Sequence, residues 1–118
     1  MKLPHAWLTK ADRRQLLLNG QRFAAGKNID PLPVVKLFIP DGAATWLISE
    51  LDPVDPTRAF GLCDLGLGSP ELGTIDLNEL ARLRGYIGLP VSRDIYFQPQ
   101  KPLSAYAADA RAVGRITV

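Results

Sequence analysis

One Cys and one His in 118 residues exclude a disulfide framework, a zinc ribbon and a His-rich metal site, so the chain must fold on its apolar side chains, 47% of the total. Fourteen Lys and Arg against twelve Asp and Glu give a net charge of +2, far below the basic balance of a protein that grips nucleic acid through phosphates alone. The length suits a single domain, 1–118, no apolar run approaches ~18 residues, and the start MKLPHAWLTK lacks the apolar stretch of a signal peptide. These features predict a soluble cytoplasmic protein with no membrane partner.

In chain order, Thr9 followed by Asp12 predicts a helix start, because a Thr hydroxyl accepts from an exposed backbone N–H and an acid suits the positive end of a helix. The helix is expected from Lys10 to Ala25, carrying Leu16, Leu17 and Leu18, with Trp7 stapling its start. Pro31 and Pro33 force an extended entry into a strand over Val34–Ile39. Pro40-Asp41-Gly42 is turn chemistry, and Thr45–Leu51 is a second strand, so the two form a hairpin. The prolines at 53 and 56 make the next connection exposed, and Ala59–Leu65 is a third strand.

Three Gly and a Pro between Gly66 and Gly73 mark a shaped loop. Thr74–Leu77 pairs briefly before Asp76 caps a short helix, with Glu79 three residues on, that carries Leu77, Leu80 and Leu83 and stops at Gly85. A last strand is expected over Asp94–Gln98, followed by a helix whose Leu103, Tyr106, Ala107, Ala110 and Val113 form one stripe. The fold class that follows is α+β: a mainly antiparallel sheet of four or five strands with about three packed helices, in the order α-β-β-β-(β)-α-β-α.

The first two strands are apolar on both faces. Val35, Leu37 and Ile39 alternate with Val34 and Phe38, and Trp46 and Ile48 alternate with Leu47 and Leu51. Helices and loops must cover both sides, or one side is a partner surface. Charge is segmented as well, at +5 over residues 1–39, −7 over 40–80 and +4 over 81–118.

Few residues assemble into a catalytic set. Cys63 has only His5 as a base, and in a strand it reads as a small buried apolar residue. The glycines at 61, 66, 68 and 73 lack both the Lys-Ser/Thr pair of a P-loop and the order of a dinucleotide fingerprint, so no cofactor is implied. The carboxylates carry more. Glu50 and Asp64 fall in apolar strand sequence and Glu71 follows in the shaped loop; if the three converged at a sheet edge they could hold Mg²⁺ or Mn²⁺ for phosphodiester hydrolysis. Against that, the D…E-x-K pattern of the common nuclease core is missing, and Asp64 could equally accept from loop N–H groups or pair with Arg58 or Arg93. Arg13, Arg14 and Arg22 on the first helix form a basic face that is either solvated or a weak nucleic-acid contact.

Across Val34–Phe38, Ala44–Leu47, Glu50–Asp52, Arg93-Asp94 and Lys101–Tyr106, and above all in AFGLCDLGLG with PELG at 59–73, the sequence resembles an uncharacterised family of small bacterial proteins. The likeness runs from Leu8 through nearly the whole chain. It implies a bacterial cytoplasmic protein carried on plasmids and integrated mobile elements, and brings no activity or catalytic residues with it. The reading that follows is a small non-enzymatic accessory protein that binds a protein partner. A metal-dependent phosphodiesterase or nuclease and a weak nucleic-acid binder are the alternatives, and a homo-oligomer is left open.

Overall fold

A computed structural model of the chain describes residues 6–118. Its elements are α1 (Lys10–Ala24), β1 (Val35–Phe38), β2 (Thr45–Leu51), β3 (Arg58–Asp64), β4 (Glu71–Asp76), α2 (Leu77–Arg82), β5 (Ser92–Arg93) and α3 (Leu103–Val113). The five strands form one antiparallel sheet in the order β4-β3-β2-β1-β5, so the fold is α+β with helices on both faces.

The local signals explain the ends of these elements. The Thr9 hydroxyl accepts from the Asp12 N–H at 3.0 Å while the Asp12 carboxylate accepts from the Thr9 N–H at 2.8 Å, a reciprocal capping box. Burial works to raise the Asp12 carboxyl, but hydrogen bonds from Arg93 and Thr9 outweigh it and hold the group below the usual carboxylate range. Asp76 closes β4 and opens α2 by accepting from the Asn78 and Glu79 N–H groups at 2.8 and 3.3 Å. That helix ends at Leu83, short of the expected Gly85. For α3, the side chain of Asp30 accepts from the Ser104 N–H at 3.1 Å, and Gly114 ends the helix at a φ of 86°.

Each face of the sheet has its own core. On one face Leu16 of α1 and Leu77 and Leu80 of α2 pack on Val35, Leu37, Trp46, Ile48, Leu51, Ala59 and Ile75. On the other, Leu103, Tyr106, Ala107 and Ala110 of α3 cover Leu47 and Leu62, with Phe97 and Ile116 at the margin. Both faces of β1 and β2 are therefore packed within the chain, and the partner surface expected as one reading of their two-sided apolar pattern is not left on them.

Three expectations are corrected. The shaped loop expected to run to Gly73 stops short of Glu71, because Glu71, Leu72 and Gly73 already pair with Cys63, Leu62 and Gly61 as the start of β4. The strand expected over Asp94–Gln98 is a turn, because the Asp94 carboxylate accepts from the Tyr96 N–H at 2.9 Å and its carbonyl from the Phe97 N–H at 3.3 Å, using the donors a ladder would need. Pairing with β1 falls instead on Ser92 and Arg93. Simple alternation sets Leu51 with Leu47, yet it joins Trp46 and Ile48, because Ile48 pairs with Gly61 and Glu50 with Phe60, leaving Ser49 as an extra residue in β2.

The ladder from β1 to β2 ends with Val35 opposite Ile48, so the last three residues of β2 have no strand on that side. The carboxyl-terminal half of α1 fills the gap: the Asn19 amide donates to the Ser49 carbonyl at 2.9 Å, and Gly20 lies against the Leu51 carbonyl. A Cβ on Gly20 would sit 1.8 Å from that oxygen, which is backbone and cannot swing aside. Gly20→Ala is therefore expected to destabilise the fold by about 1–3 kcal/mol in urea denaturation. Gly73→Ala, whose Cβ would meet nothing within 4 Å, should leave the midpoint nearly unchanged.

Candidate functional site

The three carboxylates singled out in the sequence go to three different places. Asp64 pairs with Thr45 and Glu50 with Phe60, so they stand toward opposite ends of the β2–β3 ladder, about 13 Å apart along β3. Glu71 lies opposite Cys63, and because neighbouring residues of a strand face opposite sides, Cys63 and Asp64 turn Glu71 and Asp64 to different faces. Among the described residues, no group of three or more His, Cys, Asp or Glu side chains is gathered to hold a metal ion.

Asp64 is 3% exposed and fully engaged by backbone. One carboxylate oxygen accepts from the Gly66 N–H at 2.8 Å, shaping the loop after β3, and the other accepts from the Ile116 N–H at 2.8 Å, tying the segment after α3 to the sheet. Charge-assisted bonds of this kind explain how a carboxylate is accommodated in a buried position. Arg58 and Arg93, the other suggested partners of Asp64, pair instead with Asp55 and Asp12.

On α1, successive residues are turned by about 100°, which sets Arg22 half a turn round from Arg13. Arg13 is half-buried against the body of the protein, whereas Arg14 and Arg22 are exposed. The three arginines consequently do not share one face.

The acidic middle of the chain supplies a different arrangement. β4 is the outer strand of the sheet, and a groove of about 360 Å³ runs beside it, between the strand, α2 and the loop after β3. Its floor is apolar, with Trp46, Cys63, Ile75 and Leu80, and Leu65 and Leu83 stand at its mouth, 59% and 39% exposed. Glu71, Asp76 and Glu79 form its rim. Gly73, at the centre of β4, leaves the groove open where a side chain would otherwise stand.

Burial pushes the Cys63 thiol up to about 11, so at neutral pH it is protonated and serves the groove as apolar surface rather than as a nucleophile. His5, the one base available to it in the sequence, lies outside the described residues. A second cleft, of about 390 Å³, opens beside the end of β2, where Glu50 meets Phe23 of α1 and Phe60 of β3. Burial raises the Glu50 carboxyl above its ordinary range.

The family model described as protein of unknown function (DUF2958) matches residues 7–117. The chain belongs to this family. The matched span includes every strand and helix above and the whole AFGLCDLGLG–PELG stretch, whose parts are now assigned: most of β3, the loop held by Asp64, and the first three residues of the outer strand. No curated protein and no solved structure matches the chain.

Sequence reasoning selected Glu71 and Glu50 but missed their settings. The available signal for the groove was the −7 charge of residues 40–80, which contains Glu71, Asp76 and Glu79. Because Asp64 holds two backbone N–H groups, Asp64→Ala in this DUF2958 protein is expected to lose about 1.5–3 kcal/mol of stability. It should also raise amide exchange at Gly66 and Ile116 before the rest of the sheet. Millimolar Mg²⁺ or Mn²⁺ should leave the melting temperature unchanged, whereas a rise abolished by Asp64→Ala would show that this carboxylate binds metal.

Proposed function

We propose that the protein is a small non-enzymatic accessory protein of a bacterial mobile element and that it binds a protein partner along β4. The mobile-element setting rests on the family resemblance. The binding surface rests on one observation: an outer strand of six residues beside an apolar groove with three carboxylates on its rim.

An outer strand offers unpaired backbone donors and acceptors to an added segment, and a groove beside it accepts every second side chain of that segment. Charge selects the partner. A second copy of β4, whose six residues include two acids and no base, would bring like charges to the shared edge, which is destabilising. A segment with Lys or Arg near both ends of an apolar stretch would instead meet Glu71 and Asp76 favourably. The protein-partner reading also gains from the placement of the other candidates, since Glu50, Asp64 and Glu71 diverge and Arg13 is half-buried and turned away from Arg22.

The test is a photo-crosslinking residue introduced at Leu83 in the groove, with the same residue at Val54, which is 92% exposed in the connection at the other end of β2, as control. A specific protein adduct is expected from position 83 and not from 54. Gly73→Trp, which fills the groove from an open position, should abolish it without lowering the melting temperature. Equal adducts from both positions, or an adduct unaffected by Gly73→Trp, would contradict the proposal.

A further inference from the structure

The extra residue in β2 decides where Glu50 points. In an unbroken ladder, with Ile48 opposite Gly61, Ser49 would face Phe60 and Glu50 would lie opposite Ala59, in the main core. With the bulge, Leu51 takes the place opposite Ala59 and is 1% exposed, while Glu50 is turned into a row with Phe60 and Thr74 on the other face. Re-aiming a side chain is a recurrent use of β-bulges beside functional sites.

This bulge is supported by buried polar groups. Asn19 is 4% exposed and Ser49 fully buried. The Gln15 amide donates to the Asn19 side-chain oxygen at 2.9 Å, the Asn19 amide donates to the Ser49 carbonyl at 2.9 Å, and the Ser49 hydroxyl donates to the Phe60 carbonyl at 3.2 Å. Because Gly20 lets α1 lie directly on the end of β2, the next turn of the helix brings Phe23 and Ala24 to the same cleft.

What results is a concavity of about 390 Å³, in the size range of small-molecule sites, with Phe23 and Phe60 among its walls and Glu50 within it. The Glu50 side chain makes no hydrogen bond or ion pair with any described residue. Arg58 also lines the cleft, with its guanidinium 3.6 Å from Asp55, and Glu50 and Asp52 together leave the lining net negative. Phe23 is 62% exposed at the end of α1, where no core packing accounts for it.

A half-buried carboxylate without a partner gains from an opposite charge, and aromatic faces attract the same sign of ligand. Anions are repelled by Glu50 and Asp52, and a hydrated metal ion would find mainly apolar walls. We infer that this cleft binds a small organic ammonium ion, with its charge against Glu50 and its apolar body between Phe23 and Phe60. The cleft shares Thr74 with the β4 groove, but Glu50, Phe23 and Phe60 line the cleft alone, and the inference does not depend on the groove's assignment.

The test is NMR titration of the full ¹⁵N-labelled chain with protonated 2-phenylethylamine, beside its neutral analogue 2-phenylethanol. The amine is expected to shift Phe23, Glu50, Phe60 and Thr74 saturably and to bind at least about tenfold more tightly than the alcohol, the scale of one charge-assisted contact. Glu50→Gln should remove that preference while the melting temperature holds or rises, because a desolvated charge is lost. Phe23→Ala, outside the core, should weaken the amine without altering stability. Equal binding of amine and alcohol, an undiminished preference in Glu50→Gln, or no saturable shift with either probe would overturn the proposal. So would binding of Nα-acetylarginine amide with no binding of the amine, since the cleft would then be reading a protein side chain.

Discussion

The extra residue at Ser49 is the constraint on which the arrangement of this protein turns. β2 is the central strand, bonded to β1 and β3, and its side chains reach both cores. Up to Ile48 it alternates regularly; one residue later the alternation is reset, so that Leu51 rather than Glu50 enters the main core. A carboxylate without a partner at the position opposite Ala59 would have to be desolvated among Val35, Ile48 and Ile75, which is costly. The same step leaves the Ser49 carbonyl to be satisfied from outside the ladder, and Asn19 does so from α1. Helix, strand and cleft are thus coupled through a single backbone irregularity.

The elements legible in the sequence were those whose determinants are local. Thr9 and Asp12 state the start of α1, the apolar runs of β1, β2 and β3 state strands, Asp76 states the start of α2, and the stripe from Leu103 to Val113 states α3. Asp94–Gln98 misled because Ile95, Tyr96 and Phe97 have the composition of a strand, while Asp94 diverts two of the N–H groups that pairing would use. Only Phe97 of the three is drawn toward the second core; Ile95 and Tyr96 remain 74% and 86% exposed. The bulge itself carried no signal, since Ser49 is neither Gly nor Pro and the run Trp46–Leu51 reads as regular. The candidate carboxylates were therefore identifiable as unusual residues in apolar sequence, but their faces, and hence their separation, depended on a register that composition does not encode.

Membership of a family of unknown function leaves chemistry to be read from the surface, and the surface divides by charge. The end of the acidic middle segment forms the outer part of the sheet, where Glu71, Asp76 and Glu79 rim an apolar groove beside β4. Asp64, from the same segment, is spent on structure: it holds the loop after β3 and the segment after α3 through Gly66 and Ile116. The glycine-rich stretch thereby leads from β3 into the outer strand with its first turn held by Asp64. The Cys63 thiol, kept protonated by burial, is part of the groove floor.

The register of β2 against β3 is the most direct thing to measure, because the assignment of Leu51 to the core and of Glu50 to the cleft both follow from it. Cross-strand proton contacts in NMR spectra of the full chain distinguish the two registers residue by residue. The structure predicts contacts between the backbones of Glu50 and Phe60 and of Leu51 and Ala59, with Ser49 skipped. Contacts joining Ser49 to Phe60 and Glu50 to Ala59 would show an unbroken ladder and contradict the account.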